Sequence, residues 1–290
     1  IIMSRDHIEN KITNNKNDID SIDELNKEEI FNRTFVVEIE DIASKGLFIA
    51  RITGKVTFVP YVIPGDIVEI EINKNRSKYM KANVIRIIEP SEERITPKCR
   101  IFGVCGGCWF QHINYEKELS IKHYNIRSTL YTISHLTPVV KEVIPSPRRE
   151  RYRNHIQIKS SIKKDLGFFK PERLLVAPLP EEGCLLIPEE MNDYIIRLNK
   201  EGKENIKPHM NHRVRQDYKN NVYINGLEGI KNPDYIYDKI GKYIYRIGFH
   251  NFFQVNKYQI ENWLNTILNY VGSGHNTIVD LFCGVGLISL

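Results

Sequence analysis

Three cysteines fall within ten residues, Cys99-Arg-Ile-Phe-Gly-Val-Cys105-Gly-Gly-Cys108, in a chain with only two others, Cys184 and Cys283. A C-x5-C-x2-C knot of this kind constrains the backbone strongly. Gly103, Gly106 and Gly107 permit the tight turns that let closely spaced thiolates converge on one centre. A fourth ligand has to come from elsewhere. Cys184, which also follows a glycine, is the better candidate, because Cys283 sits in a different motif. Four thiolates at Cys99, Cys105, Cys108 and Cys184 suit either zinc or an iron–sulfur cluster.

The rest of the composition bounds the class. Five cysteines, mostly clustered, are too few for a secreted disulfide scaffold, and the opening Ile-Ile-Met-Ser-Arg-Asp lacks a charged-then-apolar signal pattern. The expectation is a cytoplasmic protein. No apolar run is long enough to cross a bilayer, so no membrane partner is expected, and a monomer of two or three packed units is. The net charge of +5 supports a polyanionic partner only weakly by itself.

Residues 1–33, rich in Asn, Asp, Lys and Glu, read as a mobile tail. From 34 to 91 short β-branched runs alternate with turn residues, and Val68, Ile70 and Ile72 interleave with Glu69 and Glu71. Five such strands predict a small OB-like all-β barrel. Lys45, Arg51, Lys55, Lys74, Arg76, Lys78 and Lys81 fall mainly in its connections, where they and Tyr79 or Phe48 would grip and stack on nucleic acid.

Further along, Arg148-Arg149-Glu150-Arg151-Tyr152-Arg153 is the densest cationic run and leads into an alternating strand, Ile156-Gln157-Ile158-Lys159. Arginines there can pair with phosphates while Tyr152 offers a stacking face, which suits a folded RNA. Between them, residues 111–131 carry a helical stripe through Leu119, Ile121, Tyr124, Ile126 and Leu130. Residues 198–226 read as polar and irregular. At the far end, Asn276-Thr-Ile-Val-Asp-Leu-Phe282-Cys283-Gly284-Val-Gly286-Leu287 reads as a buried strand entering a glycine turn, where Gly284 and Gly286 admit a nucleotide-like ligand.

The barrel segment resembles a TRAM domain, through Val37-Glu-Ile-Glu-Asp-Ile-Ala43, Gly54-Lys-Val-Thr-Phe-Val-Pro60 and Pro64-Gly65-Asp66. Ser44-Lys-Gly-Leu-Phe-Ile-Ala50 stands where a glycine-rich stretch is usual. Two families join this barrel to a cysteine cluster, and the radical methylthiotransferases use C-x3-C-x2-C. The spacing here resembles the RNA (uracil-5-)-methyltransferases, as do Gln111 and Tyr115 of a Q-H-x-x-Y pattern and Phe252-Phe-Gln254-Val-Asn256 before the Asp-Leu-Phe-Cys-Gly-x-Gly turn.

That resemblance implies several things. The four cysteines would hold a [4Fe–4S] cluster, zinc being the alternative, and Gln254 and Phe282 would contact S-adenosyl-L-methionine. The helix would pack on the catalytic domain, and Cys283 would be a small buried thiol of the cofactor turn. The fold would be an OB-like TRAM barrel (34–91), an α+β central iron–sulfur domain (92–248) and the start of a Rossmann-like methyltransferase domain (249–290). The reaction would be methylation of uridine C5 in RNA, ribosomal RNA being favoured over transfer RNA. The family's nucleophilic cysteine and glutamate base lie beyond the glycine turn. The chain is therefore expected to be a C-terminally truncated, inactive portion with no catalytic residue of its own, or else an RNA-binding protein with a structural metal.

Overall fold

A computed structural model describes residues 32–171 and 175–289, so the expected tail lies almost wholly outside the described residues. The chain divides into two compact units. The first comprises the described residues up to Gly103 together with Cys108–Val143, the second Val104–Gly107 together with the described residues from Ile144 onward.

In the first unit, β1 (Thr34–Glu38), β2 (Asp41–Ile42), β3 (Leu47–Ile52), β4 (Lys55–Pro60), β5 (Ile67–Asn75) and β6 (Met80–Glu89) form one sheet in the order β1-β5-β6-β4-β3-β2. The alternation seen in the sequence has its expected result. Val68, Ile70 and Ile72 are completely buried while Glu69 and Glu71 stay half-exposed. Thr53 and Gly54 both have positive φ, 54° and 77°, as a two-residue turn between β3 and β4 requires to match strand twist. β4 and β6 pair in parallel at Thr57↔Met80, while the other pairs are antiparallel. Phe48 is fully buried in the barrel core, so it offers no stacking face.

A polar knot closes one side of the barrel. The Asp66 carboxylate, with no exposed side-chain surface, accepts hydrogen bonds from Ile63 N (2.7 Å), Ser91 N (2.9 Å), Arg94 Nε (3.0 Å) and Arg94 Nη2 (2.5 Å). Arg94 also donates to the Tyr61 carbonyl at 3.0 Å. Beside it, the buried His112 ring places Nε2 2.8 Å from the Val62 carbonyl, and its Nδ1 has no hydrogen-bond partner among the described residues. Burial holds this imidazole neutral, pushing its pKa down to about 4, with the Arg94 charge adding to the effect.

A histidine that is neutral when folded and titrates normally when unfolded stabilises the fold fully above pH 6.5. That contribution is lost as pH falls toward 4. The first unit is expected to lose about 3 kcal/mol over that window, read by urea unfolding followed through Trp109 fluorescence. The slope should vanish in His112→Asn; an unchanged slope would remove His112 as its source.

Helix α1 (Tyr115–Ser134) begins later than the predicted 111–131, because the preceding residues have other partners. The Gln111 side chain accepts from Cys99 N at 3.2 Å, Ile113 bridges to Arg94, and Asn114 caps the helix by accepting from Lys117 N at 2.7 Å. Its buried residue, Ile121, joins the barrel core, whereas Tyr124, Ile126 and Leu130 are exposed.

The second unit contains a five-stranded antiparallel sheet of β7 (His155–Ser160), β8 (Leu166–Phe169), β9 (Val176–Pro178), β10 (Asn211–Gln216) and β11 (Val222–Ile224), ordered β11-β10-β7-β8-β9. β10 and β11 lie in the stretch read as irregular. Helix α2 (Glu189–Glu201) buries Met191 and Ile195 against Ile156, Ile158, Leu166 and Val214 on one sheet face. Gly167 is required where β8 meets β9, since a β-carbon there would lie 2.0 Å from the Ala177 carbonyl oxygen.

A two-stranded ribbon, β12 (Tyr235–Ile240) and β13 (Tyr243–Gly248), precedes helix α3 (Ile260–Val271). Ile236, Ile240, Tyr245 and Ile247 of the ribbon share a core with Phe249, Phe253, Ile260 and Leu287. The expected buried strand before the glycine turn is not formed. Ile278, Val279 and Leu281 are 66–75% exposed, because an apolar strand is buried only between paired neighbours and none pairs with it among the described residues. Cys283 is likewise exposed rather than buried. Among the described residues no helix is long and apolar enough to cross a membrane.

Candidate functional site

The cationic run does not act as one uniform patch. Arg151 takes a positive φ of 54° and turns inward, donating from Nη1 to the Cys184 carbonyl at 2.9 Å and the Ile187 carbonyl at 3.0 Å. Its work is to fix the loop before α2. Arg148 and Arg149 are exposed. The Arg148 guanidinium lies 4.6 Å from the centre of the Tyr258 ring, which also has Lys257 Nζ at 5.3 Å, and donates to its hydroxyl at 3.0 Å. Tyr152 and Arg153 are half-buried, and Arg153 Nε is buried with no hydrogen-bond partner among the described residues.

The same run is stitched to the Phe-Phe-Gln-Val-Asn block. Arg153 bridges Asn256 in antiparallel fashion, and Asn154 N donates to the Val255 carbonyl at 3.0 Å. The buried Asn154 side chain donates to the Gln254 carbonyl at 3.0 Å and to Asp238 Oδ2 at 3.1 Å. Ser146 Oγ accepts from Asn256 Nδ2 at 2.9 Å, and Gln259 Nε2 donates to the Ile144 carbonyl at 3.2 Å. Phosphate-binding and cofactor-binding candidates are therefore neighbours along two paired segments.

Strand β10 supports that block from below. Arg213 donates to the Phe249 and His250 carbonyls and Arg215 to that of Asn251. Arg215 is almost wholly buried, and burial together with the nearby Arg213 charge lowers its pKa to about 10, while Asp238 opposes the shift. Burial and the Arg215, Arg213 and Arg153 charges drive the His155 pKa down to about 4, so this ring is neutral near pH 7. Burial raises the Asp238 pKa. The sequence reading missed Asn154, Arg213, Arg215 and Asp238 as organisers of this site. The alternation of His212-Arg-Val-Arg-Gln216, with Val214 inside, was the available signal.

Of the cofactor candidates, Gln254 is half-buried, and its side-chain amide has no hydrogen-bond partner among the described residues. Phe282, at φ 62°, is fully exposed. Gly284 and Gly286 have positive φ, and the space where their β-carbons would stand is open. Val285 and Leu287 anchor this turn in the apolar cluster that holds Phe249 and Phe253, so both motifs are fixed to one core. An open glycine turn, an outward aromatic ring and an available amide fit a nucleoside with a polar tail.

The four expected thiolate ligands are divided between the two units. Cys99 and Cys108 belong to the first unit and Cys105 and Cys184 to the second. Among the described residues no three Cys, His, Asp or Glu side chains are grouped to hold a metal ion. Cys105 Sγ accepts from Gly107 N at 3.4 Å, and Asn192 brackets the Cys184 backbone by accepting from its N–H at 2.7 Å and donating to its carbonyl at 3.1 Å.

Residues 32–85 match the TRAM domain family. The chain is 31% identical to an uncharacterized RNA methyltransferase of Leptospira interrogans (serovar copenhageni) over 84% of its own length and 61% of that protein's. It is 28% identical to another from Clostridium tetani, over 89% and 68%. The tRNA (uracil-54, C5)-methyltransferase of Pyrococcus abyssi, solved with S-adenosyl-L-homocysteine, shares the fold at a TM-score of 0.65 and 20% identity, over 87% of this chain and 69% of that one. Over most of its length the chain is thus similar to RNA methyltransferases. It spans about three fifths of the length of the Leptospira relative. The TRAM-matching barrel carries Arg76 and Lys78 at the β5–β6 turn, next to Tyr79, whose ring packs edge-on against Phe58 at 5.7 Å.

Proposed function

We propose that the whole protein uses S-adenosyl-L-methionine to methylate C5 of uridine in RNA, and that this chain supplies its donor-binding and RNA-binding residues. The observation that carries this reading is the pairing of Arg153–Asn154 with Gln254–Asn256, which sets candidate phosphate-binding cations beside the candidate cofactor residue Gln254. Gln254, Phe282, Gly284 and Gly286 would hold the cofactor, whose sulfonium supplies an electrophilic methyl group. Arg148, Arg149 and Arg153, with Tyr152, would hold the phosphates around the target nucleotide, and the barrel cations would lengthen the RNA footprint. Uracil C5 becomes nucleophilic enough only after a nucleophile adds at C6; after methyl transfer, loss of the C5 proton to a base expels that nucleophile, and neither group is assigned among the residues of this chain.

Incubating the whole protein with methyl-labelled donor and either ribosomal or transfer RNA transcripts should give label in uridine. Ribosomal RNA is the first substrate to try, and transfer RNA, the substrate of the Pyrococcus abyssi enzyme, the second; label in neither RNA would defeat the proposal. Gln254→Ala should weaken donor binding about tenfold or more, by loss of a hydrogen bond to a charged or strongly polar group, with an unchanged thermal midpoint. Equilibrium dialysis measures this, and equal affinity would exclude Gln254 from the cofactor site.

A further inference from the structure

The ribbon of β12 and β13 segregates its side chains except at Tyr243, which is 39% exposed although it lies opposite the buried Ile240. Ile236, Asp238 and Ile240 point inward, as do Tyr245 and Ile247, while Tyr235, Tyr237, Lys239, Ile244 and Arg246 face solvent. The only acidic residue in the two strands, Asp238, is among those turned inward, so the outer face carries two cations and no carboxylate. Tyr235 and Tyr237 remain 48% and 46% exposed. The Arg246 guanidinium lies 4.6 Å from the centre of the Tyr235 ring, and Arg246 is the cross-strand partner of Tyr237.

Large aromatic rings on a solvent-facing strand gain nothing from water, and this segregation leaves their exposure without a packing reason. We propose that this face is a stacking platform for a single strand of RNA, outside the arginine run and the TRAM barrel. Residues i and i+2 of a strand lie about 6.8 Å apart, roughly twice the ~3.4 Å rise of a stacked nucleic-acid strand. Bases seated on Tyr235 and Tyr237 are therefore unstacked from each other, which selects an extended single strand over a duplex. Lys239 and Arg246 flank the rings and neutralise the phosphates between those bases, and Ile244 adds an apolar shelf. The platform rests on the reading of RNA as substrate and names which form of RNA the ribbon takes.

The test is fluorescence anisotropy of the full chain with a labelled oligouridylate, alone and annealed to its complement. Tyr235→Ala/Tyr237→Ala should weaken single-strand binding about tenfold to a hundredfold, and the Phe/Phe variant should stay within about threefold. Lys239→Gln/Arg246→Gln should reduce the salt dependence, and an oligonucleotide carrying 5-bromouridine should photocrosslink to the 235–246 peptide. Circular dichroism confirms folding of each variant. Wild-type affinity in the Ala/Ala protein overturns the platform. If Arg148→Gln/Arg149→Gln then still weakens binding, RNA recognition stands and only the ribbon assignment falls; if the wild-type chain binds no RNA, both fall.

Discussion

Asp66→Ala is expected to destabilise the barrel by about 3–5 kcal/mol, the range for breaking a buried ion pair from one side. The cost has two sources. The Arg94 guanidinium, 16% exposed at its side chain, would keep its charge with the Tyr61 carbonyl still accepting from it but no carboxylate beside it, and the N–H groups of Ile63 and Ser91 would lose their acceptor in or near the core. Urea unfolding of the first unit, followed by Trp109 fluorescence, measures the loss. The double variant Asp66→Ala/Arg94→Met should cost clearly less than the sum of the single changes, because it removes the stranded charge. Additive costs would show that the two groups act independently.

The second large effect is at Asn154. Asn154→Leu keeps the volume but removes two donated hydrogen bonds, leaving the buried Asp238 carboxylate and the Gln254 carbonyl less well satisfied. A stability loss of about 2–4 kcal/mol is expected for the second unit. Because the lost bond fixes the backbone of Gln254, donor affinity should also fall about tenfold at a temperature where the variant remains folded. Gln254→Ala should lower affinity without the stability loss. If Asn154→Leu destabilises the protein while its folded fraction binds donor normally, Asn154 supports the fold but does not position the site.

What the sequence made legible follows from the range of the forces involved. Strict alternation in Asp66–Ile72 exposed the barrel because period-two burial is a local property, and Pro64-Gly65-Asp66 marked a turn whose reason, the Asp66–Arg94 pair, is long-range. Arg151 and Arg153 looked equivalent in the run. A positive φ sends one to the Cys184–Ile187 carbonyls, and only coordinates reveal that. Strand β10 was hidden because Arg213 and Arg215 dilute its apolar content, although they are the residues that brace the cofactor block. Tyr235-Ile-Tyr-Asp-Lys-Ile240 carried a clear two-residue period that the search for family motifs passed over. Ile278 and Val279 show the converse, since apolar content favours a strand but cannot supply the neighbours that would bury it.

The strand order of the barrel also governs how a nascent chain can acquire it. β1 emerges from the ribosome first, yet its ladder partner is β5, and β4 must wait for β6. Phe35, Val36 and Val37 thus stay uncovered while the intervening hairpin is translated, and Ile113 and Ile121 fill the interior later still. Closure is a late and cooperative event during synthesis, with early strands held in waiting rather than folded as they appear.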